Sequence, residues 1–153
     1  MFARRKGEDR AVKKPQAPDA WNSRGANYAV SEAHKFGPSL AKLLRLARPL
    51  PADSCLDIGT GAGHTAAALA RLTQHVVGLD LSNGMLRAAR ELYGEIPNLE
   101  FVRAPAQATE LRAASFAIIT ARHTLHHHPD PVATLREAAR LLIPGGRLVI
   151  VDR

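Results

Sequence analysis

The stretch Leu56-Asp57-Ile58-Gly59-Thr60-Gly61-Ala62-Gly63-His64 constrains this chain more than any other. An apolar strand, 54–58, runs into three glycines at alternate positions, and a helix-prone alanine run follows from Thr65 to Arg71. That order puts a glycine turn between the carboxyl end of a buried strand and the amino end of a helix. Free backbone N–H groups there meet a ligand that must approach the main chain closely. A second acid, Asp80, closes the next apolar run, His75-Val76-Val77-Gly78-Leu79. A carboxylate at such a strand end accepts hydrogen bonds from ribose hydroxyls, so the two motifs together read as a nucleoside site.

The glycine spacing separates two kinds of nucleoside. A dinucleotide fingerprint requires G-x-G-x-x-G, and His64 stands where its third glycine would fall. Here the third glycine comes one residue earlier, and Asp57 precedes the turn by two residues. A carboxylate so placed repels a pyrophosphate and suits a ligand that carries an ammonium group.

Around this turn, strand and helix patterns alternate. The periodicity predicts helices over 22–36 and 39–47, then a strand at 54–58 with its helix at 63–73. A strand at 75–80 and a helix at 83–93 follow, with Ser82 placed as N-cap. Further strands fall at 99–103 and 116–121, then a helix at 130–142. The last strand, 147–151, is entered through Pro144-Gly145-Gly146. Short links between alternating elements imply a doubly wound, Rossmann-like parallel sheet of order 3-2-1-4-5 with helices on both faces. Ligands in such sheets sit outside the carboxyl strand ends, and Asp57 to Gly63, Asp80 and Arg122 onward all fall on that edge.

Composition narrows the class. At 153 residues with 46% hydrophobic content, the chain suits one domain with one core. No apolar run reaches membrane-spanning length, and the amino terminus carries no secretory signal, so no membrane is expected. Cys55 is the only cysteine, which excludes an internal disulfide and fits a reducing, cytoplasmic setting. The net charge is +7, of which residues 1–20 supply +3. With Pro15, Pro18 and little apolar content, these residues read as a disordered basic tail ahead of a domain over 21–153. No aromatic residues interleave with the basic ones, so nucleic acid is not an expected partner.

The motif D-x-G-x-G-x-G at 57–63, with an acid ending the second strand, resembles the class I S-adenosylmethionine-dependent methyltransferases. The likeness extends to Val77-Gly78-Leu79-Asp80-Leu81-Ser82 with Met85-Leu86, and to Leu142-Ile143-Pro144-Gly145-Gly146-Arg147-Leu148. Arg122-His123 with Leu125-His126-His127 and Pro129-Asp130-Pro131 is similar to a subgroup acting on small molecules, related to the quinone-biosynthesis methyltransferases. Together these segments cover about residues 22–153.

The resemblance implies that the cofactor is S-adenosylmethionine and the acceptor a small molecule. It implies that Asp57 holds the methionine ammonium, while Gly59, Thr60, Gly61 and Gly63 form the loop around the methionine portion. Asp80 would take the ribose hydroxyls, with Leu81, Met85 and Ala106 near the adenine. Arg122 and His123 would line the floor beneath the reacting methyl, and Tyr28 would close the pocket from above.

Three departures from the family pattern stand out. Pro105 replaces the acid that usually meets the adenine amino group, and Ala117 replaces the acid of a customary "SFD" at the start of strand four. The sequence also ends directly after strand five, without the family's C-terminal antiparallel hairpin. Either the sequence is a fragment, or strand five is an apolar edge covered by self-association or by a second subunit.

Four histidines, His123, His126, His127 and His128, lie on the ligand edge of the sheet. Imidazole titrates in the range useful for removing an acceptor's proton, and His123 and His126 are the candidates for that base. Adjacent histidines on one short loop do not converge on one ion, so no metal is expected. His34, His64 and His75 read as helix-surface or capping residues. The leading function is methyl transfer to a small molecule. One alternative is a degenerate or truncated homologue acting as a partner subunit, and a nicotinamide-dependent oxidoreductase is disfavoured by the glycine spacing.

Overall fold

Five parallel strands pair in the order β3-β2-β1-β4-β5 in a computed structural model that describes Asn22 and residues 37–152. They are β1 (Ser54–Ile58), β2 (His75–Asp80), β3 (Leu99–Arg103), β4 (Phe116–Arg122) and β5 (Leu142–Val151). The helices are α1 (Pro38–Ala47), α2 (His64–Ala70), α3 (Asn83–Tyr93) and α4 (Pro131–Leu141), with a 3-10 turn at Leu125–His127. The expected order 3-2-1-4-5 is therefore the observed one. The basic tail, the helix expected over 22–36, Tyr28 and His34 lie outside the described residues, apart from Asn22.

Successive side chains along each strand feed opposite faces of the sheet, as the strand period of two requires. Cys55, Val76, Ile118 and Val149 join Leu43 of α1 and Ala66 and Leu69 of α2 in one core. Leu56, Val77 and Ile119 join Ala138 and Leu141 of α4 in the other. Both faces are covered, which explains why the strands read as continuous apolar runs. Cys55 is fully buried, and burial pushes its thiol up to about 11, so it is an inert filler.

Two boundaries differ from the sequence reading. α2 stops at Ala70 rather than at residue 73, because side chains take its last carbonyls. Thr73 Oγ1 donates to Leu69 O at 2.9 Å, and Asn98 Nδ2 donates to Ala70 O at 2.8 Å. β5 begins at Leu142 rather than at 147. Leu142 faces Phe116 and Arg147 faces Ile118, so residues 143–146 bulge opposite Ala117 alone. Pro144 has no N–H to give the ladder, and Gly145 takes φ 78°.

The segment between β3 and β4 is pinned from α4. Thr109 donates to Glu137 Oε1 from both its backbone N (3.0 Å) and its Oγ1 (2.6 Å). Arg140 completes the clamp, with Nε 2.8 Å from Glu137 Oε2 and Nη2 2.8 Å from Leu111 O. The Arg140 hydrogen bond leads in holding the Glu137 carboxyl down to about 2, with Thr109 adding to it. A depressed carboxyl pKa contributes stability above the unfolded value of 4.5 and loses it as pH falls towards 2. Glu137→Gln is expected to cost about 1–2 kcal/mol at pH 7, allowing for screening at the exposed arginine. In urea denaturation that difference should shrink by pH 3. A difference independent of pH would contradict the assignment.

Candidate functional site

A cavity of about 690 Å³ opens at the carboxyl ends of β1, β2 and β4, where the strand order reverses. Its floor is the turn after β1. Gly59 and Gly61 both hold left-handed φ values, 63° and 56°, which disfavour any side chain. A Cβ on Gly59 would lie 2.0 Å from Thr124 Oγ1, so the glycine also admits the threonine behind the turn. At Gly61 the nearest neighbour to such a Cβ is Met85 Sδ at 4.0 Å, so here the bare main chain faces the cavity. Gly63 does not line the cavity. It precedes α2 and packs against Phe101, whose ring a Cβ would meet at 2.8 Å.

Two carboxylates flank the turn. Asp80, at the end of β2, accepts from Gly61 N through Oδ2 and from Ser82 N through Oδ1, each at 2.9 Å. Burial raises its pKa, and the backbone N–H groups of Ser82, Gly61 and Leu81 oppose that rise. Asp57, in β1, is 2% exposed and accepts from Thr120 Oγ1 at 2.6 Å. Burial pushes its carboxyl up to about 6, against the hydroxyls of Thr120 and Thr60 and the charge of Arg122.

Beyond these acids the wall is mostly apolar. Leu81, Met85 and Ala106 line it, as do Pro105 and Gln107, so a side-chain amide stands two residues from the position of the missing acid. Ala117 lies at the amino end of β4, the opposite end from the cavity, and its substitution leaves the cavity wall untouched.

The opposite wall comes from the end of β4 and the turn after it. Arg122 lines the cavity and ties two helices to it, Nε donating to Thr65 Oγ1 at 2.9 Å and Nη1 to Ser39 Oγ at 3.1 Å. Burial lowers its pKa, while Asp57 opposes that shift. His123 lines the cavity in a left-handed conformation, φ 52°, with its N–H donating to Val151 O at 2.9 Å. Such a conformation in a non-glycine residue is a strained one that surrounding contacts must hold.

His126 does not reach the cavity. Its Nδ1 sits 2.6 Å from Asp152 Oδ1 and its backbone N donates to Asp152 Oδ2 at 3.1 Å. His127 and His128 line the cavity instead, and the His127 ring lies 3.9 Å from that of His126. His128 is held on both nitrogens, by Thr134 Oγ1 at 2.9 Å and Thr124 Oγ1 at 3.3 Å. Burial lowers its pKa, and Asp80 and Asp152 resist that shift.

His64 corrects the sequence reading. It is 6% exposed, lines the cavity and places Nδ1 2.7 Å from Tyr93 Oη of α3. His75 is not on a helix, but opens β2 with Nε2 3.1 Å from Glu100. Among the described residues no cluster of three or more His, Cys, Asp or Glu side chains has metal-binding geometry.

A family described as "Methyltransferase domain" matches residues 56–150. The chain is similar to the uncharacterized methyltransferase YcgJ of Bacillus subtilis, 35% identical over 82% of this chain and 50% of that protein. The crystal structure of YcgJ superposes with a TM-score of 0.72 over 74% of this chain and 50% of that one. It is also similar to a ubiquinone biosynthesis O-methyltransferase of Albidiferax ferrireducens, 33% identical over 74% of this chain and 46% of the relative. A Haemonchus contortus phosphoethanolamine N-methyltransferase, solved with phosphomonomethylethanolamine and S-adenosylhomocysteine, is 29% identical with a TM-score of 0.69, over 76% of this chain and 28% of that one. The chain thus spans about half the length of the curated relatives it matches. With its glycine turn, paired acids and sheet order, the chain belongs to the methyltransferase domain family.

Proposed function

We propose that this chain binds S-adenosylmethionine and serves methyl transfer to a small-molecule acceptor. The observation that carries the reading is a pair of carboxylates, Asp57 buried and Asp80 partly buried, on either side of a turn whose Gly61 main chain is open to the cavity. That donor set fits the cofactor. Asp57 offers a negative charge to an ammonium, Asp80 offers oxygens to vicinal hydroxyls, and Leu81, Met85 and Ala106 offer apolar surface to a base.

S-adenosylmethionine supplies a methyl group already activated on a sulfonium. The protein's work is then to orient the acceptor and exclude water. His123, at the end of β4, is assigned the acceptor's proton. His126 acts only through His127, against whose ring it lies. Arg122 keeps the β4 wall fixed to α1 and α2. Titration calorimetry with S-adenosylhomocysteine tests the reading. Micromolar binding supports it, and no heat up to millimolar ligand overturns it.

Two finer assignments accompany this reading. Among the described residues no helix is long and apolar enough to cross a membrane. A cytoplasmic setting suits Cys55, a free thiol sealed inside β1. Among the described residues β5 pairs with β4 alone and leaves Ile143 and Ile150 more than a third exposed, which favours a second copy or subunit on that edge. Light scattering at high protein concentration is expected to show association, and a clean monomer would remove the assignment.

A further inference from the structure

We infer that Asn22 is a positioning residue for the ribose side of the cavity. It would act through the turn that joins β2 to α3, and the inference rests on the cofactor reading above. Asn22 Oδ1 accepts two hydrogen bonds from that turn, from Ser82 Oγ at 2.9 Å and from Gly84 N at 3.1 Å. Both donors matter to the start of α3. Ser82 Oγ, having given its proton to Asn22, presents its lone pairs to Met85 N at 3.2 Å and so caps the helix. Gly84 N is one of the first-turn N–H groups that a helix cannot satisfy by itself. Its partner comes from a residue 62 positions earlier in the chain.

Gly84 supplies the independent observation. Its φ is not among the positive values of the described glycines, so its backbone does not demand glycine. Glycine is nonetheless the poorest helix former after proline. What requires it is space. A Cβ there would lie 2.3 Å from Asn22 O, 2.7 Å from its Cα and 2.8 Å from its carbonyl carbon. The missing side chain is the seat on which the Asn22 main chain rests.

The seat adjoins the cavity. Ser82 is 2% exposed, and its N–H donates to the Asp80 oxygen at 2.9 Å. Leu81, Ser82 and Met85 line the cavity beside Asp80. Asn22 therefore fixes the Ser82 hydroxyl and the first turn of α3, and with them the residue whose backbone N–H holds the carboxylate. A ligand gripping Asp80 and a seated Asn22 should favour one another, as reciprocal coupling requires.

Three full-length variants test this: Asn22→Ala, Asn22→Asp and Gly84→Ala. Asn22→Ala is expected to weaken S-adenosylhomocysteine binding by about five- to twentyfold while the melting temperature stays near that of the parent. Asn22→Asp keeps an acceptor oxygen at the helix start and should restore most of the affinity. Gly84→Ala should reproduce the Asn22→Ala loss, and the two together should not add. Hydrogen exchange reads the seat without ligand, the Gly84 amide being protected in the parent and fast in Asn22→Ala.

Affinities within twofold of the parent for both alanine variants would overturn the inference, as would equal Gly84 exchange in parent and Asn22→Ala. A parent that binds no ligand yet protects Gly84 would sink the cofactor reading. It would also reduce Asn22 to a helix cap, overturning its role at the ribose side.

Discussion

Asp80→Ala is expected to weaken S-adenosylhomocysteine binding by about a hundredfold or more. The carboxylate is assigned two ribose hydroxyls, and hydrogen bonds to a charged acceptor contribute about 1.5–3 kcal/mol each. Loss of about 2.7 kcal/mol already amounts to two decades in Kd. A second effect acts in the same direction. Asp80 also anchors Gly61 N and Ser82 N, so the variant loosens the turn that forms the cavity floor. Asp80→Asn keeps one carbonyl acceptor and should fall between the variant and the parent. Calorimetry decides the matter: an alanine variant within a few-fold of the parent would remove Asp80 from the binding site.

At Asp57 the expected result is opposite in sign for stability and for binding. Its folded pKa is about 6 against 3.8 for the free side chain, because burial penalises the charged form. Its contribution is therefore most favourable below pH 3.8 and is lost as pH rises through about 6. The full loss amounts to about 3 kcal/mol at neutral pH. Asp57→Asn removes that penalty and keeps an oxygen to accept from Thr120. The variant should be more stable than the parent in urea at pH 7 by up to about 3 kcal/mol, with no difference near pH 4.

The same variant should bind S-adenosylhomocysteine worse, since no charge then faces the ammonium. In the parent protein, affinity should fall as pH drops below about 6 and Asp57 takes up its proton. A destabilised variant at pH 7, or a parent affinity unchanged between pH 7.5 and 5, would refute the assignment. At neutral pH the ligand-free protein thus carries a local instability that protonation of Asp57 or a cationic group beside it would relieve, as is common where a site is built for a charged ligand.

Much of this was legible from the sequence because it is encoded locally. Glycines at 59, 61 and 63, acids at 57 and 80 and the Ser82 cap are all short-range patterns, and each fell at its expected place in the fold. What escaped depends on distant partners. His64 is buried because Tyr93, 29 residues away, receives its ring. α2 ends early because Asn98 reaches its last turn. That His127 and His128 but not His126 line the cavity depends on Asp152, just past the end of β5, which draws His126 aside. Thr124 behind Gly59 and Asn22 on Gly84 belong to the same class, since a close approach leaves only a glycine as its trace. At Gly63 the glycine pattern has a second cause that the sequence does not reveal, its packing against the Phe101 ring behind the loop.

The bulge at 143–146 has a consequence for how β5 can be used. A strand docking on this side finds regular backbone only from Arg147 to Val151, about 17 Å of it at the usual rise per residue. Pro144 and Gly145 bend the chain out of line ahead of that stretch. A strand pairing there would be confined to those five residues, with the bulge setting the end of its ladder. The same kink that disturbs the sheet at its border would thus act as a length gauge for any strand added to it.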